Sequence, residues 1–433
     1  MSHVVRRCLV ILGLLFLAQT VDAGEIRWSS CPDDRPTTSA AAIDCGVYET
    51  GDTLSDQPVR LALARLRHRP DRLSENPVIF VPGGPAEPAG LTPGKLSQWQ
   101  HFQQQAGWPR DIVLFDPRAT GKSRPKVACR ANESDRACRR RIGASVPAEL
   151  SMSAAVRDLH GLIEALDQGP AVLWAHSFGS FVVRALAARY PEDISAVILE
   201  SPADDNQRDT DFADVAAARA LERVTTGCGV AECGMFVPSP DALVGAWMAF
   251  LTRRSLTLMT ARVPWPSAEH RVTDETLRAG ILFSQYHADR RADVVQRLRL
   301  ALKDEQALAP LVAPVWQLSG SQSATSPAYW AMRCSIAPPL RRSQKCRHWS
   351  ANASVVPMRS ASTLHGVVVY ANADIVTPSA RARALLTHSP GLAGIGVASG
   401  GHQPLRVSAC AQQRVGAWLA RRARPPATSL CGG

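Results

Sequence analysis

The sequence predicts an α/β protein with a mainly parallel central sheet flanked by helices and split by a long helical insertion. Three observations carry this. Short β-branched runs alternate with helical stretches up to about residue 201, the rhythm of a parallel sheet with crossover helices. The alternation lapses across residues 202–364, where helical patterns dominate, and it resumes from residue 365. A hydrophobic content of 45% with 20% charged residues supports a sizeable core and argues against disorder over the 433 residues.

The elements follow in order. Val59 to Leu66 alternates and is expected at the antiparallel edge of the sheet. Pro77 to Val81 reads as a buried strand ended by the turn Pro82-Gly83-Gly84-Pro85, and Ile112 to Phe115 as the next, ended by Asp116. Ser151 to Asp167 reads as a helix, with Ser151 or Ser153 as its cap and Ala154, Leu159, Leu162 and Leu166 near one face. Ala171 to Trp174 is a strand, followed by a helix through Tyr190 and a strand from Ile194 to Leu199. Helical patterns then cover Asp211–Val224, Pro240–Arg253, Thr273–Phe283 and Arg290–Leu302, with a serine-rich loop from Ser319 to Pro327. Val367 to Tyr370, a helix near Pro378 to Leu386, a strand from Leu392 to Ala398 and a helix from Arg406 to Arg421 complete the chain. The expected organisation is a signal peptide (1–23), a first core part (24–201), a helical cap (202–364) and a second core part (365–433).

Residues 1–23 have the marks of a cleaved export signal. Arg6 and Arg7 precede an apolar run from Cys8 to Ala18, and Val21-Asp22-Ala23 puts small residues at the cleavage site, after Ala23. The run is too short to span a bilayer, which takes roughly 20 apolar residues. A periplasmic or secreted location follows. Loss of Cys8 with the signal leaves Cys31, Cys45, Cys129, Cys138, Cys228, Cys233, Cys334, Cys346, Cys410 and Cys431, an even set that suggests disulfides in an oxidising compartment. They fall into five local couples, which gives the expected pairs 31–45, 129–138, 228–233, 334–346 and 410–431. The competing reading is a metal site, but the spacings form no paired C-x-x-C knuckles, and neither metal nor cofactor is expected. The net charge of +11 is spread in small arginine clusters without interleaved aromatics, so nucleic acid is not an expected partner. The oligomeric state is left open.

The chemistry centres on Trp174-Ala175-His176-Ser177-Phe178-Gly179. A strand, a serine between small residues and an immediate helix make a nucleophile elbow, whose strained turn lifts the hydroxyl above the sheet. Ser177 is therefore the expected nucleophile of an α/β-hydrolase fold. It needs a base, and the base an orienting acid, in the chain order Ser, acid, His. Asp374 follows a strand in Tyr370-Ala371-Asn372-Ala373-Asp374, and His402 follows the last strand in Ser399-Gly400-Gly401-His402. Glu200 is the reserve acid, and His176 is expected to pack with its side chain away from Ser177. The oxyanion needs two backbone N–H donors. Phe178 supplies one, and Gly83 or Gly84 the other.

With these residues assembled, the sequence resembles the proline iminopeptidase and tripeptidyl aminopeptidase branch of the α/β-hydrolases, over nearly the whole mature chain. The HGGPG turn of that branch stands here as Pro82-Gly83-Gly84-Pro85-Ala86, and its D-x-R-G-x-G-x-S segment as Asp116-Pro117-Arg118-Ala119-Thr120-Gly121-Lys122-Ser123. Asp374-Ile375-Val376-Thr377-Pro378 matches the acid loop, and Gly401-His402 the histidine loop. Pro82, Ala86, Ala119 and Gln403 depart from the pattern without removing a member of the expected constellation. The resemblance implies a capped sheet, a C-terminal region like that of the tripeptidyl aminopeptidases, no metal, and release of short peptides from free N-termini.

Aminopeptidase work also calls for an acid to meet the substrate's ammonium. Glu87, Glu200, Asp204 and Asp205 are the candidates. An acid that some relatives carry just after the cap cysteine is missing here, where Ser335, Ile336 and Ala337 follow Cys334. The first reading is thus an exported serine peptidase acting through an acyl-enzyme on a peptide. The alternatives are an exported carboxylesterase using the same three residues on a small ester, and a non-catalytic binding protein on this scaffold.

Overall fold

A computed structural model describes residues 24–31, 43–69, 71–130, 133–203, 363–398, 400–421 and 428–432, with parts of 262–360. Among the described residues ten strands form one sheet: β1 (Ile26–Ser30), β2 (Ile43–Leu54), β3 (Gln57–Leu66), β4 (Val78–Val81), β5 (Ile112–Phe115), β6 (Ala171–His176), β7 (Ile194–Glu200), β10 (Gly366–Ala371), β11 (Leu392–Val397) and β12 (Ser429–Cys431). Their order is β1-β2-β3-β5-β4-β6-β7-β10-β11-β12. The three pairings β1–β2, β2–β3 and β3–β5 are antiparallel, and β5 through β12 run parallel. Two further described strands, β8 (Arg262–Trp265) and β9 (Ala268–Arg271), make a separate antiparallel hairpin.

The chain reverses its direction of travel across the sheet at β4. From β4 it steps outward to β5, then crosses back to β6 on the other side. Such a switch leaves a crevice beyond the carboxyl ends of the two strands, where open α/β sheets bind ligands. The turn Pro82-Gly83-Gly84-Pro85 leaves β4 there, and Ser177 leaves β6 there.

Helices cover both faces. On one lie α4 (Met152–Leu166) and α5 (Gly179–Arg189), packed over Ile79, Val81, Val113, Leu173, Ala175 and Leu199. On the other lie α1 (Pro93–Ala106) and the C-terminal α10 (Ala409–Arg421), over Val78, Phe80, Val172, Trp174 and Ile198. The alternation of side chains along a strand assigns each set to its face. Trp174 anchors the second face, with ring centroids 4.9 Å from Phe80, 5.6 Å from Trp99, 5.2 Å from Phe102 and 5.0 Å from Trp108.

Several elements differ from expectation. The Val59–Leu66 run is not the outermost strand, because β1 and β2 lie beyond it. These two read poorly in sequence: Ile26-Arg-Trp-Ser-Ser and Ile43-Asp-Cys-Gly-Val-Tyr mix polar residues into short runs that are only partly buried. Helix α1 was also unread, since its first turn holds Pro93 and Gly94 and its outer face is all polar. Ser151 sits at the N-cap of α4 but does not cap it through its side chain, which donates to the Ala148 carbonyl at 2.7 Å. The last helix is broken at Ser408 into α9 (Pro404–Val407) and α10.

Within 202–364 the described residues are not all helical, since the β8–β9 hairpin lies there. The stretches 211–224 and 240–253 lie outside the described residues, as do 1–23. The returning end of this segment is fastened to the core. Helices α6 (Pro327–Arg333) and α7 (Gln344–Trp349) are joined by Cys334–Cys346, and Trp349 donates to Asp135 of α2 (Asp135–Ile142) at 3.2 Å. The Ser335 hydroxyl accepts from the Met152 amide at 3.1 Å.

Disulfides join Cys31 to Cys45, Cys129 to Cys138, Cys334 to Cys346 and Cys410 to Cys431. Cys228 and Cys233 lie outside the described residues. Glu133 approaches Cys129 and Cys138 as a third metal-type ligand would. The two sulfurs are bonded to each other, however, and the carboxylate is engaged by Arg141. Among the described residues no helix is long and apolar enough to cross a membrane.

Candidate active site

Ser177 occupies a strained turn between β6 and α5. Its φ is +51°, a left-handed conformation that a side chain normally avoids. The turn is held from both sides: the Ser177 amide donates to the Glu200 carbonyl at 2.9 Å, and its carbonyl accepts the Ser180 hydroxyl at 2.7 Å. Gly179 cannot be larger, because a Cβ there would stand 2.4 Å from the Val81 carbonyl oxygen. Ala175 in place of the usual glycine fits, fully buried in the strand.

The loops after β10 and β11 bring Asp374 and His402 together. His402 Nδ1 lies 2.9 Å from Asp374 Oδ2, and both side chains are 1% exposed. The other carboxylate oxygen accepts the amides of Val376 and Thr377 at 2.8 and 3.0 Å. The Thr377 hydroxyl lies 2.8 Å from Asp374 Oδ2, 3.3 Å from His402 Nδ1 and 3.1 Å from the Ser201 carbonyl. Burial alone would raise the Asp374 carboxyl. The charge of His402 and the hydrogen bonds from His402 and Thr377 outweigh it and hold the group below its ordinary value. Asp374 is therefore ionised at neutral pH, and an ionised acceptor on Nδ1 keeps the proton there and leaves Nε2 as the basic nitrogen.

His176, the last residue of β6, joins the elbow to the histidine loop. Its Nε2 lies 3.1 Å from the His402 carbonyl oxygen, and the two imidazole centroids are 4.9 Å apart. The side chain does turn to the face opposite α5, as alternation along β6 requires. There it meets the histidine loop itself, a contact that no local sequence pattern encodes.

The turn after β4 closes the site from the other side. A Cβ on Gly83 would stand 3.0 Å from the Ser177 Cβ, so the glycine backbone lies directly against Ser177. Among the described residues the amides of Gly83, Gly84 and Phe178 donate to no protein acceptor. Phe178 also stands at the N-terminal end of α5, the positive end of its dipole.

The motif after β5 serves this turn. Asp116 accepts the Gly90 amide at 3.2 Å and the Lys122 amide at 2.6 Å, tying the two loops together. Arg118 forms a buried pair with Asp158 of α4 and reaches Asp52 at 3.0 Å and the Glu149 carbonyl at 2.8 Å. The partners of both side chains lie in these loops, in α4 and at Asp52 and Glu149.

The acids named from sequence part company. Glu200 is 2% exposed, and its oxygens accept the Trp174 indole N–H and the Leu405 amide, each at 2.9 Å. It is neither beside His402 Nδ1, where Asp374 stands, nor open to a ligand's ammonium. Burial pushes its carboxyl up, against the pull of those two donors. Glu87 is half-buried beside Gly84, and its amide donates to the Gly83 carbonyl at 3.2 Å. Its carboxylate has no hydrogen-bond or ion-pair partner among the described residues. Burial raises its pKa, opposed by the charges of Arg406, His402 and Lys95. Asp204 and Asp205 lie outside the described residues.

A strained serine, an imidazole backed by an ionised carboxylate, and unengaged amides in the turn after β4 and at a helix N-terminus are the parts required for acyl transfer. Parts of the chain are similar to known proteins. The model of the alpha/beta hydrolase fold family matches residues 76–253. The chain is 28% identical over 239 residues to YuaR of Escherichia coli, a hydrolase by name, covering 48% of this chain and 47% of that one. It is 23% identical over 228 residues to the serine protease Hip1 of Mycobacterium tuberculosis, covering 46% and 43%. The chain thus spans less than half the length of these curated relatives. Among solved structures, a thermophilic esterase from Thermogutta terrifontis is similar at a TM-score of 0.41 and 15% identity, over 87% of this chain and 98% of that one. By its sheet order and its family match, the chain has the α/β-hydrolase fold.

Proposed function

We propose that the chain is an exported serine peptidase that releases short peptides or residues from free N-termini. Ser177 attacks the scissile carbonyl, His402 takes its proton and passes it to the leaving amine, and Asp374 orients and stabilises the imidazolium. The amides of Phe178 and of Gly83 or Gly84 hold the oxyanion. Water then hydrolyses the acyl-enzyme. The observation that carries this reading is the positive φ of Ser177 at the end of β6, beside a loop that holds His402 against Asp374. The serine protease among the relatives supports peptide as the substrate class. Four disulfides in the described residues support an oxidising compartment and the signal peptide read at 1–23. Residues 202–364 are read as a cap over the crevice.

An esterase using the same residues is the second reading, and one observation favours it. Of the four acids named for an ammonium, Glu200 is engaged by Trp174 and Leu405, which leaves Glu87 alone among the described residues. Parallel assays on a tripeptide amide, its N-acetylated form and a short-chain p-nitrophenyl ester separate the two. Preference for the free amine supports the aminopeptidase. Equal turnover of free and blocked peptides contradicts it, and turnover of the ester alone selects the esterase.

A further inference from the structure

The general base proposed above is carried by a loop with little stiffness of its own. Gly400 and Gly401 precede His402, and glycine restricts the backbone least of all residues. The Asp374 bond fixes the far edge of the imidazole but not the point where the side chain leaves the main chain. Two contacts among the described residues help to fix that point. On one side the Leu405 amide donates to Glu200, and on the other the His402 carbonyl meets His176 Nε2 at 3.1 Å.

A carbonyl only accepts, so the Nε2 of His176 carries the proton of this bond. The ring is 2% exposed and belongs to the residue next to Ser177, so the bond joins the nucleophile's own strand to the main chain of the base. The Nδ1 edge faces the oxyanion turn, since a Cβ on Gly83 would stand 3.2 Å from it. One side chain thus touches the three segments whose spacing determines the reaction.

We propose that His176 is a positioning residue: its Nε2–H bond to the His402 carbonyl sets the distance between the base and Ser177. Burial and the nearby charge of His402 push the His176 ring down to about 3, so the bond is made by a neutral imidazole across the working range. A neutral ring also adds no repulsion when His402 takes up a proton. The inference rests on the reading of Ser177 and His402 as nucleophile and base.

Three variants test it on a p-nitrophenyl ester, a substrate that needs no residue preference. His176→Gln keeps an N–H near the Nε2 position, His176→Asn has the same group one methylene short, and His176→Phe has none. The expected kcat falls about 10- to 100-fold in the Phe and Asn variants with KM within about 3-fold, the signature of a misplaced catalytic group. His176→Gln is expected to stay within about 3-fold of wild type, because the donor is retained. Reaction of Ser177 with a fluorophosphonate is expected to slow in the same order. If His176→Phe does not fold, the comparison of Gln with Asn decides alone. Equal kcat in Gln and Asn, or loss carried wholly by KM, overturns the proposal. Failure of wild-type Ser177 to react with the probe instead overturns the reading on which it rests.

Discussion

His402 Nδ1 stands 2.9 Å from Asp374 Oδ2 on two loops, one following β10 and one following β11, which pair in parallel. The register of two neighbouring strands therefore sets the distance between the two residues. Replacing Asp374 with Asn removes the charge and favours the wrong imidazole tautomer. The expected kcat loss is about 10³- to 10⁴-fold with KM little changed. Steady-state kinetics on an ester substrate checks it, and a loss under 10-fold assigns the acid elsewhere.

Thr377 donates to the same carboxylate through both its amide and its hydroxyl. Thr377→Val removes the hydroxyl and keeps the shape and the amide. The loss of one hydrogen bond to a charged group, about 1.5–3 kcal/mol, sets the limit on kcat at roughly 10- to 100-fold. The prediction is a fall in kcat within that limit at constant KM. An unchanged kcat would mean that the two backbone amides hold Asp374 well enough alone.

Glu87 gives the substrate-class prediction. If its unpaired carboxylate meets a substrate's ammonium, Glu87→Gln should lower the ratio of kcat/KM for a free-amine peptide over its N-acetyl form by about 10- to 100-fold, the worth of one charge-assisted bond. A ratio equal to that of the wild type excludes Glu87 from this role.

Much of this was legible before the structure. Every parallel strand from β4 to β11 announced itself as a run of apolar residues, because burial on both faces demands one. The elbow, the acid loop and the glycine turn before His402 carry local signatures, since each needs a particular backbone shape at a particular strand end. The polar-flecked β1 and β2 were missed because they lie at the edge, where one face is wet. His176 and Glu200 needed three-dimensional partners. Their ligands are the main chain of His402 and Leu405, more than 200 positions away. Thr377 could have been found: a threonine three residues after an acid at a strand end is placed to return its hydroxyl to that acid.

The depressed pKa of His176 has a consequence for stability. The folded ring titrates at about 3, the unfolded imidazole at about 6.5. Between these values the unfolded state binds more protons, so stability from this group is complete above about pH 6.5 and falls toward pH 3. The slope is at most about 1.4 kcal/mol per pH unit. Urea denaturation at pH 7, 5.5 and 4 should therefore show His176→Gln losing less stability with acid than the wild type. Parallel losses would mean that the ring is protonated in the native state.

Cys410 lies in the first turn of α10 and Cys431 ends β12, so their bond holds the last strand of the sheet against the helix behind it. The 21-residue separation corresponds to roughly 3 kcal/mol of chain-entropy stabilisation. The Cys410→Ala, Cys431→Ala double variant should unfold at a lower urea midpoint, with hydrogen exchange accelerated first in 428–432. A midpoint equal to that of the wild type would show that β12 is held by strand pairing alone.

The central claim is that Ser177 is the activated nucleophile. Intact-mass and peptide mass spectrometry after exposure to a fluorophosphonate tests it most directly. The account predicts one adduct per chain, on Ser177, abolished in Ser177→Ala and strongly slowed in His402→Ala. An adduct at another residue, or labelling of Ser177 at the same rate without His402, would contradict it.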